Sequence, residues 1–337
     1  MKTAIVFGGS GFIGSHFAQY LLDNEIVDEV YVGDLIPLDT SRTTQVYAEY
    51  VKAKKIKYLA VDVRNRIDIN VDGEVSLIAN FAAIHREPGH DNYEYFETNI
   101  QGAENVCEWA ENVNCEKIIF TSSIAPYGPT ESELNETSVP VPVSSYGASK
   151  LVAEKIHIGW KNKNVKSRRL VIVRPGVVFG AGEMGNVTRL INAIIGRYFL
   201  YMGNQKTRKA GVYVKELCNA MWWALDTKAG KEHVLFNMTM NPGPTIEEYV
   251  STTCEVAEIT RFVPSVPLAV LYPISYVLEA FSKILRVQQP VSPIRIKKLV
   301  RSNNILPQYL VAQDYEYNYT LKSAMADWKK DKPSEWY

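Results

Sequence analysis

Tyr146 and Lys150, in the string YGASK, place a phenol and an ammonium four residues apart and hence on one face of a helix. A free phenol titrates near pH 10 and is a poor base at neutrality, but a cation one turn away stabilises the phenolate and brings it toward the working range. Such a pair on its own is common on helix surfaces. Here it has company, because Ser122 and Ser123 end the apolar run IIFTSS, and a hydroxyl at the carboxyl end of a strand stands where open α/β folds bind their ligands. Tyr146 and Lys150, with a hydroxyl from Ser122 or Ser123, are therefore the catalytic candidates, with the serine bonding the substrate oxygen and the tyrosine moving its proton.

A second constellation opens the chain. In GGSGFIG, Gly8, Gly11 and Gly14 bracket Phe12 and Ile13, follow a strand-like run and lead into a helix carrying Phe17, Tyr20 and Leu21. Glycines at this spacing allow a tight turn and close approach of backbone to a pyrophosphate, which then meets the positive end of the helix. Asp34 ends the next strand-like run, YVGDL, about twenty residues beyond Gly14, where a carboxylate can accept both ribose hydroxyls. That predicts NAD; Arg42, eight residues on, is the one nearby group that could instead welcome the 2′-phosphate of NADP. Asp62 and Val63, after the third strand, would lie beside the adenine, with Asp62 as a simple turn cap the competing reading.

These residues need a scaffold. Short runs rich in Val, Ile, Tyr and Phe predict strands at Ala4–Phe7, Val30–Gly33, Tyr58–Val61, Leu77–Phe81, Lys117–Thr121 and Leu170–Val173, separated by helical patterns. The clearest helix spans Asn92–Glu111, with Tyr93, Phe96, Ile100, Ala103, Val106, Cys107 and Ala110 on one face. The alternation gives an α/β fold, a Rossmann-type doubly wound parallel sheet with a smaller, partly helical C-terminal substrate domain. Residues 1–175 are expected to form the NAD-binding domain, 205–235 to return to it, and 176–204 with 236–337 to bind substrate; within those, Asn186–Ile195 and Glu216–Ala224 read as helices and Gly211–Val214 as a strand.

The 337 residues carry 37 basic and 37 acidic side chains, so nothing global attracts nucleic acid and any anion recognition must be local. Cys107, Cys115, Cys218 and Cys254 have neither metal-ligand nor disulfide-framework spacing; no metal is expected, and a reducing cytoplasm fits. The N-terminus enters the first strand without a signal-peptide pattern. The apolar stretch from Phe262 to Leu285, followed by Arg295, Lys297, Lys298 and Arg301, is broken by prolines at 264, 267 and 273 and so is not a spanning helix. It reads either as a buried helix with a solvated basic face or, through 262–301, as a peripheral contact with the inner face of a membrane.

Taken in order, GGSGFIG, the strand end at Asp34, Asn80-Phe81-Ala82-Ala83, Asn99-Ile100-Gln101-Gly102, TSSIAPYG, YGASK and RPGVVFG resemble the extended short-chain dehydrogenase/reductases that act on sugar nucleotides, over nearly the whole chain. The resemblance implies Ser123, Tyr146 and Lys150 in the roles given above, and Ala82 and Ala83 beside the cofactor. In the family's 4,6-dehydratases an Asp-Glu pair follows the hydroxyl residue; Ile124 and Ala125 stand there here, which disfavours dehydration and leaves epimerisation or keto/hydroxyl reduction. The same resemblance places a diphosphate at Asn186 and Val187, where Asn186 as a helix N-cap is the rival reading, and at Lys209, where the family usually has arginine. His85-Arg86 and the late YPISYVLEAFSKIL resemble a narrower branch, the 4-epimerases of N-acetylglucosaminyl sugars carried on a nucleotide or a polyprenyl diphosphate. This implies His85 and Arg86 as sugar or diphosphate ligands, a structural His85 with a solvated Arg86 being the alternative, and a homodimer is expected.

Overall fold

Runs of Val, Ile and Phe without polar alternation suit strands covered on both faces, and the chain uses them so. The structure is a computed structural model and describes residues 1–86, 89–230, 232–271, 273 and 302–337. In chain order its main elements are β1 (Lys2–Phe7), α1 (Phe12–Asp23), β2 (Glu29–Asp34), α2 (Gln45–Lys52), β3 (Ile56–Ala60), β4 (Glu74–Asn80), α3 (Asn92–Phe96), α4 (Gly102–Asn112), β5 (Lys117–Thr121), α5 (Ser145–Lys163) and β6 (Arg169–Pro175). There follow β7 (Val177–Phe179), α6 (Asn186–Ile195), β8 (Tyr201–Met202), β9 (Gly211–Tyr213), α7 (Val214–Trp223), β10 (Val234–Met238) and α8 (Ile246–Val256).

Seven strands make one parallel sheet in the order β10-β6-β5-β4-β1-β2-β3. The order reverses between β1 and β4, and the crevice above that pair is where such sheets take their ligand. Strand alternation divides the core: Ala4 and Val6 of β1 pack with Phe17, Leu21 and Met221, whereas Ile5 and Phe7 pack with Val106, Trp109 and Trp160 on the other face. Each large side chain so buried contributes about 1.5–3 kcal/mol. A further core, Phe179, Val187, Ile191, Tyr213, Tyr249, Trp328 and Trp336, lies beyond the sheet.

Two expectations change. The seventh strand, Val234–Met238, runs across the boundary expected at 235 and pairs with Val171–Pro175. The single helix expected over Asn92–Glu111 is instead α3, a π turn at Glu97–Gln101 and α4. Tyr93 and Phe96, expected on the buried face, are 59% and 39% exposed, while Tyr95 and Asn99 are buried. Ala103, Val106, Cys107 and Ala110 remain buried as the periodicity required. Most of the stretch from Phe262 to Leu285, and Arg295, Lys297, Lys298 and Arg301, lies outside the described residues.

One junction joins distant parts of the chain. Ala181 and Gly182, after β7, are held from three sides: His16 Nε2 of α1 donates to the Ala181 carbonyl (2.8 Å), the Gly182 N–H donates to the Glu335 carboxylate (3.2 Å), and a Cβ on Gly182 would lie 2.1 Å from the Arg42 carbonyl oxygen. Trp328 Nε1 donates to the same Glu335 carboxylate (2.7 Å), and Lys332 Nζ to the Ser41 carbonyl (2.8 Å).

Candidate active site

The cofactor end is built from backbone. After β1 the chain turns at Gly8, with φ at +73°, and a Cβ there would sit 2.6 Å from the Ala82 nitrogen at the end of β4. Gly14 lies against the turn itself, where a Cβ would be 2.5 Å from Gly9 Cα. Gly11 caps α1 with no side chain, leaving the first N–H groups of a twelve-residue helix to an outside acceptor. Phe12 packs edge-on to His16, and Ile13 lies against the main core. The Asp34 carboxylate is fixed at the crevice by the Ser10 and Ile36 N–H groups (3.0 and 3.1 Å), and Arg42 is held by Asp39 at 3.0 Å. A cradle that admits only glycine, an uncapped helix start and a carboxylate at the strand end fit NAD, with Asp34 set against a 2′-phosphate.

At the adenine side, Asp62 accepts the Arg64 N–H at 3.0 Å, so it does cap a turn; it also binds the Arg64 guanidinium (2.8–3.1 Å), which holds its carboxyl below the usual carboxylate range. It lines an open cavity of 560 Å³ with Arg64, Phe96 and Ile100. Val63 is buried and its carbonyl accepts from Asn105 (2.8 Å). Ala82 and Ala83 follow β4, half-buried.

The catalytic candidates arise from the end of β5 and the start of α5. Ser144 caps α5 by accepting the Gly147 N–H (3.2 Å), which sets Tyr146 and Lys150 on successive turns. Gly147 permits the helix to rest on the next loop, since a Cβ there would be 2.7 Å from the Ala125 oxygen. The start of α5 thus abuts Ser123–Ala125. Lys150 is 2% exposed, donates to the Thr121 carbonyl (2.9 Å) and lies over the Phe120 ring at 4.8 Å. Burial drives its pKa down to about 7, against the pull of Glu154.

The two serines separate. Ser122 turns inward and donates to the Glu154 carboxylate (2.5 Å), which also binds Arg174 at 2.8 and 2.6 Å. Ser123 faces a 230 Å³ cavity with Ile124, Ala125, Gly128, Thr130, Asn303 and Ile305, its Oγ accepting the Ala125 N–H (3.1 Å). The buried network behind it also holds the opposite wall. The Arg174 guanidinium lies over the Tyr127 ring at 4.8 Å, Tyr127 donates to Asn237 (2.9 Å), and Asn237 donates to the Leu306 carbonyl (3.0 Å).

Of the residues assigned to substrate, His85 is exposed and lies within the field of Lys150; partial desolvation, Arg86 and Lys150 hold its pKa below the ordinary imidazole value. Arg86 is exposed. Lys209 is half-buried, its pKa pushed down to about 8 by burial, and Ala210 beside it packs with Ile124 and Ile305. Asn186 is exposed and is not the N-cap of α6: Gly185 holds that place, and the Glu183 carboxylate accepts the Thr188 N–H instead (2.9 Å). Val187 packs in the outer core. Sequence reasoning gave no role to Tyr95, Asn99, Glu154, Arg174, Asn303 or Ile305; of these, Asn99 and Arg174 stand in strings it had singled out.

Sheet order, glycine cradle and the Ser123–Tyr146–Lys150 cluster define a Rossmann-fold enzyme that uses a nicotinamide dinucleotide. The match to the NAD dependent epimerase/dehydratase family over residues 4–238 makes the chain a member of that family. It is 28% identical over 330 residues, 96% of this chain and 93% of the other, to the N-acetyl-alpha-D-glucosaminyl-diphospho-ditrans,octacis-undecaprenol 4-epimerase of Escherichia coli O157:H7. A 3beta-hydroxysteroid-dehydrogenase/decarboxylase of Arabidopsis thaliana is 25% identical over 88% of this chain and 72% of its own length. The UDP-N-acetylglucosamine 4-epimerase of Methanobrevibacter ruminantium M1 shares the fold, with a TM-score of 0.71 at 18% identity covering 100% of this chain and 98% of that one.

Proposed function

We propose that this enzyme is a 4-epimerase of an N-acetylhexosamine carried on a diphosphate, either nucleotide or polyprenyl. The observation that carries the reading is the cavity wall: Ser123 is followed by Ile124 and Ala125, so the pocket offers a hydroxyl for an alcohol oxygen but neither of the acids that elimination of water needs. The full-length similarity to a lipid-diphosphate sugar 4-epimerase supports the choice of sugar class.

The Gly8–Gly14 turn and Asp34 would hold NAD, which would supply a hydride acceptor that returns what it takes. The chain's own groups manage the proton and the geometry. Ser123 hydrogen-bonds O4 of the sugar, and Tyr146, whose phenolate form Lys150 stabilises, accepts the O4 proton and becomes a phenol. Ketone formation and return to alcohol then need no net oxidant, because the hydride taken from C4 would be given back to its other face while the proton on Tyr146 goes back to O4. Lys209, with Asn186 and Val187 at the start of α6, serves the diphosphate, and Arg86 flanks the sugar.

In this reading the enzyme works in polysaccharide biosynthesis at the cytoplasmic face of the membrane as a homodimer, with residues 262–301 as the peripheral contact. No helix among the described residues is long and apolar enough to cross a membrane. Sedimentation with anionic vesicles and mass in solution test those two assignments.

The deciding experiment offers purified protein UDP-GlcNAc and polyprenyl-diphospho-GlcNAc without added NADH. Interconversion with the corresponding GalNAc compound is expected with at least one, and Tyr146→Phe should lower kcat by about 10³-fold or more. Stoichiometric consumption of NADH or NADPH would instead mark a reductase of a keto sugar or a steroid-like alcohol and overturn the proposal.

A further inference from the structure

Two side chains, Tyr95 of α3 and Asn99 of the π turn that follows it, face the helix that carries Tyr146 and Lys150. Tyr95, 2% exposed, donates its hydroxyl to the Arg86 carbonyl, and its ring tilts against that of Tyr146 with centroids 6.3 Å apart. Asn99, 3% exposed, accepts the Ile84 N–H (3.1 Å) and donates to the Ile84 carbonyl (3.3 Å) and to Ser149 Oγ (2.8 Å). Ser149 Oγ in turn donates to the Tyr146 carbonyl (2.9 Å). Backbone on both sides of His85 is therefore tied to the turn of α5 that carries Tyr146 and Lys150.

A loop leaving a strand end has no ladder to satisfy its polar groups, and side chains must do so. Here they satisfy the residue before His85 and the residue after it. We propose that Tyr95 is a positioning residue for sugar recognition: together with Asn99 it clamps the segment Ile84–Arg86 so that the His85 imidazole is presented beside Tyr146 and Lys150, where it bonds a hydroxyl or acetamido group of the sugar. The proposal rests on the reading of the site as a sugar 4-epimerase. An imidazole with its pKa held below the ordinary value is neutral at pH 7, with one nitrogen to donate and one to accept. Correct presentation thus fixes which substituents it can match.

The test is a double-mutant cycle in the NAD-loaded enzyme. Tyr95→Phe keeps the ring against Tyr146 and removes only the clamp hydroxyl. Tyr95→Phe and His85→Ala should each lower kcat/KM about tenfold, mostly through KM, and the double variant should fall no further than His85→Ala alone. Losses that multiply to about a hundredfold, or a Tyr95→Phe enzyme with wild-type KM, would overturn the clamp. A second measurement is free of turnover: the His85 ring-nitrogen resonances of the holoenzyme should move or broaden in Tyr95→Phe, and an unchanged signal overturns the proposal even if the protein melts lower. Failure of the epimerase reading shows separately, as wild-type protein that interconverts neither sugar, and the resonances then decide the clamp alone.

Discussion

The two ends of the site are made of different material. At the cofactor end, backbone does the work: the turn from Gly8 to Gly14, the bare start of α1 and the strand end at Asp34 come from 27 consecutive residues. At the sugar end the 230 Å³ cavity brings Ser123–Ala125 together with Asn303 and Ile305, segments far apart in sequence, through side chains. A backbone cradle tolerates almost no change, whereas a side-chain wall can be altered one contact at a time. That difference lets a family keep one cofactor and vary its sugars.

The comparison can be pressed from both sides. Gly14→Val should do most damage, because its Cβ would lie 2.5 Å from the Gly9 backbone; we expect an overpacking cost of about 1–3 kcal/mol in thermal unfolding and at least a hundredfold loss of NAD affinity by titration calorimetry. Retention of NAD by this variant would break the distinction. Lys150→Met is next. Lys150 titrates at about 7 in the fold against about 10.5 when unfolded, so the unfolded chain binds more protons between those values. The buried charge therefore costs stability in full below pH 7, and that cost fades as pH rises toward 10. The cofactor-free Met variant should outlast the wild type near pH 6–7 by about 1–3 kcal/mol, a margin that closes by pH 10 in unfolding curves; a constant margin would refute the assignment. Smallest is Asn303→Ala, for which KM for the sugar should rise about threefold while NAD affinity stays put, measured by initial rates and by cofactor titration. A matching loss of NAD affinity would erase the boundary between the two ends.

Legibility followed the same divide. Gly8, Gly11, Gly14 and Asp34 could be read because a turn and the strands flanking it are local, and YGASK because one helical turn places Tyr146 and Lys150. Ser123 was singled out over Ser122 by the motif resemblance alone, and the structure supplies the physical reason: strand alternation sends one hydroxyl to Glu154 and leaves the other at the cavity. The π turn was hidden because a period of 3.6 fitted to 92–111 assumes an unbroken helix, and the face drawn through Tyr93 and Phe96 left out Tyr95 and Asn99. Asn303 and Ile305 had no local signal at all, since what gives them a role is Asn237 and Thr239 taking hold of the Leu306 and Ile305 carbonyls. Val234–Met238 was missed for a similar reason: five residues acquire their meaning from the edge of β6.

The junction at Ala181 and Gly182 has a mechanical consequence. His16 belongs to α1, the helix that the glycine turn opens, Arg42 follows Asp34, and Glu335 lies two residues from the last of the chain. Any rotation that swung the outer core away from the sheet would have to part all three at once, so this corner acts as a rivet rather than a hinge, and whatever give the site has must come from the opposite side, where Asn303 and Ile305 line the cavity.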